Sequence, residues 1–103
     1  MLIDPRLAEL AKNLINFSVN LKKGESILID AQDVPREIVI ALIQAARAKK
    51  AFPYVNVQDQ RINRELYLKG SEEQFDTARS WMLEQMKSMD AYIALRGSEN
   101  IFE

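Results

Sequence analysis

The 103-residue chain has no histidine and no cysteine, and these two absences exclude more chemistry than any motif in it. Without histidine it lacks the side chain best suited to proton transfer near neutral pH, and with it the commonest zinc ligand. A Ser-His-Asp or Cys-His arrangement, or an HExxH helix, is impossible. A metal held by this chain would need carboxylates alone, a donor set for magnesium or calcium rather than zinc. Without cysteine there are no disulfides and no thiolate chemistry. There is no basic excess either: 15 acids stand against 14 bases, which gives no footing for nucleic acid or an anionic membrane. The longest apolar runs, Ile38 to Ile43 and Ala91 to Leu95, are far too short to span a bilayer. The opening MLIDPRLAEL has an acid at its fourth position and no basic n-region, unlike a secretory leader. A cytoplasmic protein with no nucleic-acid or membrane partner is expected. None of the three glycines falls in a G-x-G-x-x-G or G-x-x-x-x-G-K-[ST] pattern, so neither a dinucleotide site nor a P-loop is expected.

What is present has a globular balance, with 48% hydrophobic and 28% charged residues in a length that suits one domain. From Asp4 to about Asn20, Leu7, Leu10, Leu14, Phe17 and Leu21 recur at helical spacing. Asp4 can cap this helix, Pro5 suits its first turn, and Lys22-Lys23-Gly24 closes it. SILIDA then contains a strand, Ile27-Leu28-Ile29, apolar on both faces as in a buried parallel sheet, which breaks at Asp30. In VPREIVIALIQAARAKKA, a second helix repeats Ile38, Leu42, Ala45 and Ala46 on one stripe. AFPYVNVQ reads as a second strand, and Pro53 assigns it to a sheet edge because proline cannot donate a ladder hydrogen bond. The turn before it, Lys49-Lys50-Ala51, contains no glycine. A short helix, Arg61 to Leu68, stops at Gly70. Ser71-Glu72-Glu73-Gln74 has the form of a capping box. The helix it opens carries Phe75, Ala78, Met82, Met86 and Met89 on one stripe, expected to be core. A third strand, Ala91 to Leu95, ends the pattern.

The order α-β-α-β-α-α-β predicts an α/β fold: a small parallel sheet of about three strands with helices on both faces, half of a doubly wound architecture. The expected strand order is second, first, third. The third strand has no Pro, Lys or bulge to protect it as an edge. The polar loop that follows is therefore expected to lead on to a further strand or domain of a longer protein.

In such sheets ligands bind at the carboxyl ends of the strands. Three loops lie there: Asp30 to Asp33, Gln58-Asp59-Gln60, and Arg96-Gly97-Ser98-Glu99-Asn100. Asp30 and Asp33 have the chemistry to hold a metal ion or accept a proton, but Asp33 is equally a helix cap near Val34 and Pro35. Asp59 has the same two readings. Arg96, Ser98 and Asn100 supply donors suited to a carboxylate or a peptide backbone, and with Glu99 they form the candidate substrate-cavity or domain-border group. No catalytic residue and no metal ligand is assigned.

The opening DPRLAELAKNLINFSVNLKKGESILID resembles the start of the M29 family of metal-dependent aminopeptidases, the aminopeptidase T and aminopeptidase S type. The resemblance is carried by Asp4, Arg6, Leu7, Phe17-Ser18-Val19, Leu21-Lys22, Gly24-Glu25 and Leu28-Ile29. Near the end, Asp90-Ala91-Tyr92-Ile93, Gly97, Glu99 and Asn100 resemble a second segment of that family. The resemblance implies that residues 1–103 are the N-terminal domain of a longer aminopeptidase. That parent would remove N-terminal amino acids from peptides by attack of metal-activated water. It also implies two divalent metal ions of the zinc or cobalt class in the parent's C-terminal catalytic domain, none in this chain, and a homodimeric parent. This domain would then help to wall the substrate cavity and be inactive alone. Two other readings remain open: a stand-alone regulatory module binding a small anionic or amine ligand on the Asp30, Asp59 and Arg96 rim, and a homo-oligomer pairing through the Ala91 to Leu95 edge.

Overall fold

A computed structural model describes residues 4–97. Its first helix, α1 (Pro5–Asn13), begins where the sequence supplies a cap: the Asp4 carboxylate accepts the Arg6 N–H at 2.8 Å, with Pro5 in the first turn. The helix then widens into a π-helical turn, Leu14–Ser18, closed by the Val19 N–H on the Leu14 carbonyl at 3.1 Å. The buried face differs from the expected stripe. Leu21 is buried and Leu14 packs against the core as expected, but the residues of the helix that are fully buried are Ala11 and Ile15, whereas Leu10 is 49% and Phe17 78% exposed. Small residues explain the rotation: α1 lies against α2 (Arg36–Ala48), and Ala11 there shares the core with Ala41 and Ala46, where larger side chains would hold the helices apart.

β1 (Ser26–Gln32) is flanked by β2 (Phe52–Gln58) and β3 (Ala91–Arg96) in one parallel sheet of order β2-β1-β3. This is the expected α/β fold, with Pro53 on an edge strand. β1 is longer than the apolar triplet indicated. It continues through Asp30 to Gln32, pairing Asp30 with Asn56 and Ala94. Lys50 supplies the turn that lacked a glycine: it takes φ 60° itself, donates to the Arg47 carbonyl at 2.8 Å, and accepts the Gly24 N–H at 3.0 Å.

Period-two alternation divides the sheet into two unlike faces. Ile27, Ile29 and Ala31 point with Val55, Ile93 and Leu95 toward α1 and α2, and with Leu21, Val39 and Leu42 they form the hydrophobic core. The other face carries Leu28, Tyr54 and Tyr92 in one row, then Asp30, Asn56 and Ala94, then Gln32, Gln58 and Arg96.

From β2 the chain runs through α3 (Gln60–Leu68) and α4 (Glu72–Lys87) and returns past β1 to β3. Right-handed crossovers in opposite directions bring this pair to the face away from α2. α4 starts at the expected cap, where Ser71 Oγ accepts the Gln74 N–H at 3.1 Å. Its burial is a correction to the expected Met-rich core stripe. Gln85, Met86 and Met89 are half-buried, Met82 is 51% exposed, and no residue of α4 is fully buried. The face offered to this helix is polar beyond the Leu28-Tyr54-Tyr92 row. What holds the helix there is a reciprocal amide pair: Asn56 Nδ2 donates to Gln85 Oε1 at 2.8 Å and Gln85 Nε2 to Asn56 Oδ1 at 3.1 Å. Among the described residues no helix is long and apolar enough to cross a membrane.

Candidate functional site: the carboxyl edge of the sheet

Asp30 stands at the middle of the central strand with only 2% of its surface exposed. A carboxylate so placed needs compensating donors, and three arrive from the flanking strands. Gln58 Nε2 donates to Oδ1 at 2.5 Å, while Tyr92 Oη and Arg96 Nη2 each donate to Oδ2 at 3.0 Å. Arg96 Nη1 also donates to the Asp30 carbonyl at 2.9 Å, so the guanidinium spans main chain and side chain of one residue. The register explains the convergence. Ala94 is the β3 residue beside Asp30, and its methyl group leaves room for Tyr92 and Arg96 to reach in from either side. Gln58 is fixed in turn by Asn63 Nδ2, which donates to its Oε1 at 2.9 Å. Among the described residues no buried side-chain nitrogen or oxygen lacks a partner.

The electrostatics follow. The hydrogen bond to the Asp30 carboxylate holds the Arg96 guanidinium protonated beyond its usual range. Burial first, and then the adjacent Asp30 carboxylate, push the Tyr92 phenol above its ordinary value of 10.0. A phenol whose folded-state value is raised binds its proton more tightly in the fold, so the stability it contributes is present below pH 10 and is lost as pH rises through the raised value. Tyr92→Phe is therefore expected to flatten the fall of stability above pH 10, read by denaturant titration at a series of alkaline pH values against the parent chain.

The other two loops close against this clamp. Asp33 has φ 55°, and its carboxylate accepts the Gln60 N–H at 3.2–3.3 Å. It thus caps α3 rather than α2, whose cap position is held by Pro35 with no side-chain hydrogen bond. Asp59 caps α3 as well, its Oδ1 accepting from the Arg61 and Ile62 amides at 2.8 and 3.1 Å. From β3, the Gly97 N–H donates to the Gln32 carbonyl at 2.8 Å. The structure thus joins the ends of all three strands. Arg96, expected to grip an incoming carboxylate, holds Asp30 of its own chain, with 45% of its side chain still exposed. Ser98, Glu99 and Asn100 lie outside the described residues. Tyr92, which completes the clamp, was not singled out as a site residue from the sequence, and Gln58 appeared there only as part of the strand-end loop Gln58-Asp59-Gln60. The signal was present in the parallel register, which sets residues 92, 94 and 96 beside 28, 30 and 32.

These residues do not fit a divalent metal centre. Asp30 is committed to Arg96, Tyr92 and Gln58, and Asp33 and Asp59 cap α3. Among the described residues no group of three or more His, Cys, Asp or Glu side chains is placed to hold an ion.

Comparison with known proteins gives this architecture its relatives. The family model of the thermophilic metalloproteases (M29) matches residues 3–101. The structure of wild-type AmpT from Thermus thermophilus superposes with a TM-score of 0.71 at 25% identity. That match covers 92% of this chain but 25% of AmpT, so the chain spans about a quarter of that relative's length. No curated protein matches. With a family match reaching from the residue before the Asp4 cap to beyond the third strand, the chain belongs to the M29 family of thermophilic metalloproteases.

Proposed function

We propose that this chain is the N-terminal α/β domain of a longer metal-dependent aminopeptidase, that it forms one wall of the substrate cavity, and that the metal ions and the chemistry belong to a C-terminal catalytic domain. The observation that carries this reading is the family match over residues 3–101 combined with coverage of only 25% of AmpT. A metalloprotease family member whose described residues offer no ligand cluster needs its metals elsewhere. In this proposal the parent acts on peptides with a free N-terminus, works in the cytoplasm as a homodimer, and uses zinc- or cobalt-class ions. The contribution of this domain is positional. The Asp30 clamp fixes where β3 ends, and Ser98, Glu99 and Asn100, which follow in the sequence, are the residues we assign to the cavity wall or domain border.

The test is hydrolysis of L-leucine p-nitroanilide with cobalt or zinc present. The 103-residue chain is expected to give no turnover above the metal blank, and a longer protein carrying it at its N-terminus is expected to be active. Metal-dependent turnover by the 103-residue chain itself would refute the assignment of the chemistry to another domain.

A further inference from the structure

A cavity of about 520 Å³ opens at the carboxyl end of the sheet and borders the Asp30 clamp through Gln58. Its walls are mostly apolar, with Ala31, Val34, Val39 and Ile40 from the β1 end and α2, Val57 from β2 and Ile62 from α3; the Gln58 and Asn63 amides also line it, Asn63 donating to Gln58 and Gln58 to Asp30. Val57 is 79% and Ile62 62% exposed, so two large apolar groups on this cavity remain in water. The charged lining groups are Arg36, Asp33 and Asp59. Among the described lining residues Arg36 is the lone cation, and its side chain makes no hydrogen bond or ion pair with any described residue. The two carboxylates already accept α3 amides, but both of those bonds to Asp59 fall on Oδ1 and leave its Oδ2 outside the cap.

We propose that this cavity binds a small apolar zwitterion of dipeptide size, with its carboxylate on Arg36, its ammonium on Asp33 and Asp59, and its side chains against Val57 and Ile62. Three observations select this class. The volume lies within the range of small-molecule sites and exceeds what one amino acid fills. The predominantly apolar walls, whose Gln58 and Asn63 amides are already engaged with Asp30 and with each other, disfavour a sugar or a bare ion. Both signs of charge stand on one lining, so a plain fatty carboxylate would meet two like charges and a plain amine would leave Arg36 unmatched. The inference rests on the lining alone and does not depend on the proposed hydrolysis.

The experiment is thermal unfolding of the 103-residue chain, without metal, against millimolar L-leucyl-L-leucine, its C-terminal amide, its N-acetyl derivative, and glycylglycine. Leucyl-leucine is expected to raise the Tm saturably, as a ligand of the folded state does. The amide, the N-acetyl derivative and glycylglycine should each bind at least about tenfold more weakly. Arg36→Gln and Ile62→Ser, both at exposed positions, should leave the ligand-free Tm in place and each weaken leucyl-leucine binding by a similar factor. An absence of any shift with leucyl-leucine, an equal shift with the amide or with glycylglycine, or full binding by Arg36→Gln would overturn the proposal. Because no metal or turnover enters the readout, failure here leaves the aminopeptidase assignment standing, and failure of the hydrolysis assay leaves this site standing.

Discussion

Gly97→Ala is expected to destabilise the fold by about 3 kcal/mol, a large effect for a single methyl group. A Cβ built at Gly97 stands 2.0 Å from the Asp33 carbonyl oxygen and 2.8 Å from its carbonyl carbon. These are backbone atoms, which cannot swing aside as a side-chain tip would. Relief requires the end of β3 to move off the end of β1, which breaks the 2.8 Å bond from Gly97 N–H to the Gln32 carbonyl. It also disturbs Asp33, which caps α3. Gly24→Ala is the natural control. It has φ +83° but nothing within 4 Å of its Cβ, so it meets left-handed strain without a clash, and about 1 kcal/mol is expected. Urea unfolding of the two variants measures the difference. Equal destabilisation would mean that the contact between the β3 end and Asp33 does not constrain the fold.

The second large effect belongs to the buried carboxylate. Asp30→Ala removes the acceptor shared by Gln58, Tyr92 and Arg96 and leaves three donors facing a cavity. About 3 kcal/mol of stability is expected to go. Arg96→Ala should cost about 2 kcal/mol, less because its side chain is 45% exposed and water can take over part of its role. The double variant should lose clearly less than the sum, since once either partner is gone the other has no ion pair left to lose. Replacing the group together, with Asp30→Leu, Tyr92→Phe and Arg96→Met, is expected to be milder than Asp30→Ala alone, because an apolar cluster of similar volume leaves no unpaired charge. Denaturant titration of the four proteins tests this. Strict additivity would show that the three side chains act separately, and the clamp would then be no unit.

The sequence was legible where one local rule sufficed. Asp4 with Pro5, and Ser71 three residues before Gln74, marked helix starts because capping uses neighbours in the chain. Pro53 assigned its strand to an edge because a missing N–H has the same meaning in any parallel sheet. Legibility ended where tertiary partners decide. The strand seemed to stop at Ile29 because Asp30 is a poor strand residue by itself, and only the donors from β2 and β3, 28 to 66 residues away, keep it in the sheet. The Met82-Met86-Met89 spacing gave the helix correctly but not its burial, since what lies beneath α4 is a polar row that no helical periodicity reveals. Likewise the first helix turned its alanine inward, a choice set by the closeness of α2. For the candidate site, all three strand-end loops were visible as loops at one edge. Their roles were not, because Asp33 caps a helix that begins 27 residues further on and Arg96 serves an acid 66 residues back.

The assignment of this family member's metal chemistry to a region outside the residues described is open to a direct test. Cobalt(II) titration of the 103-residue chain, followed by visible absorption and by metal content after dialysis, addresses it most directly. The expected outcome is a spectrum no different from the aquated ion and no metal retained, since carboxylates already bound to arginine, tyrosine, glutamine and helix amides have little to offer a cation. One retained equivalent per chain with the intense bands of a low-symmetry site would contradict it.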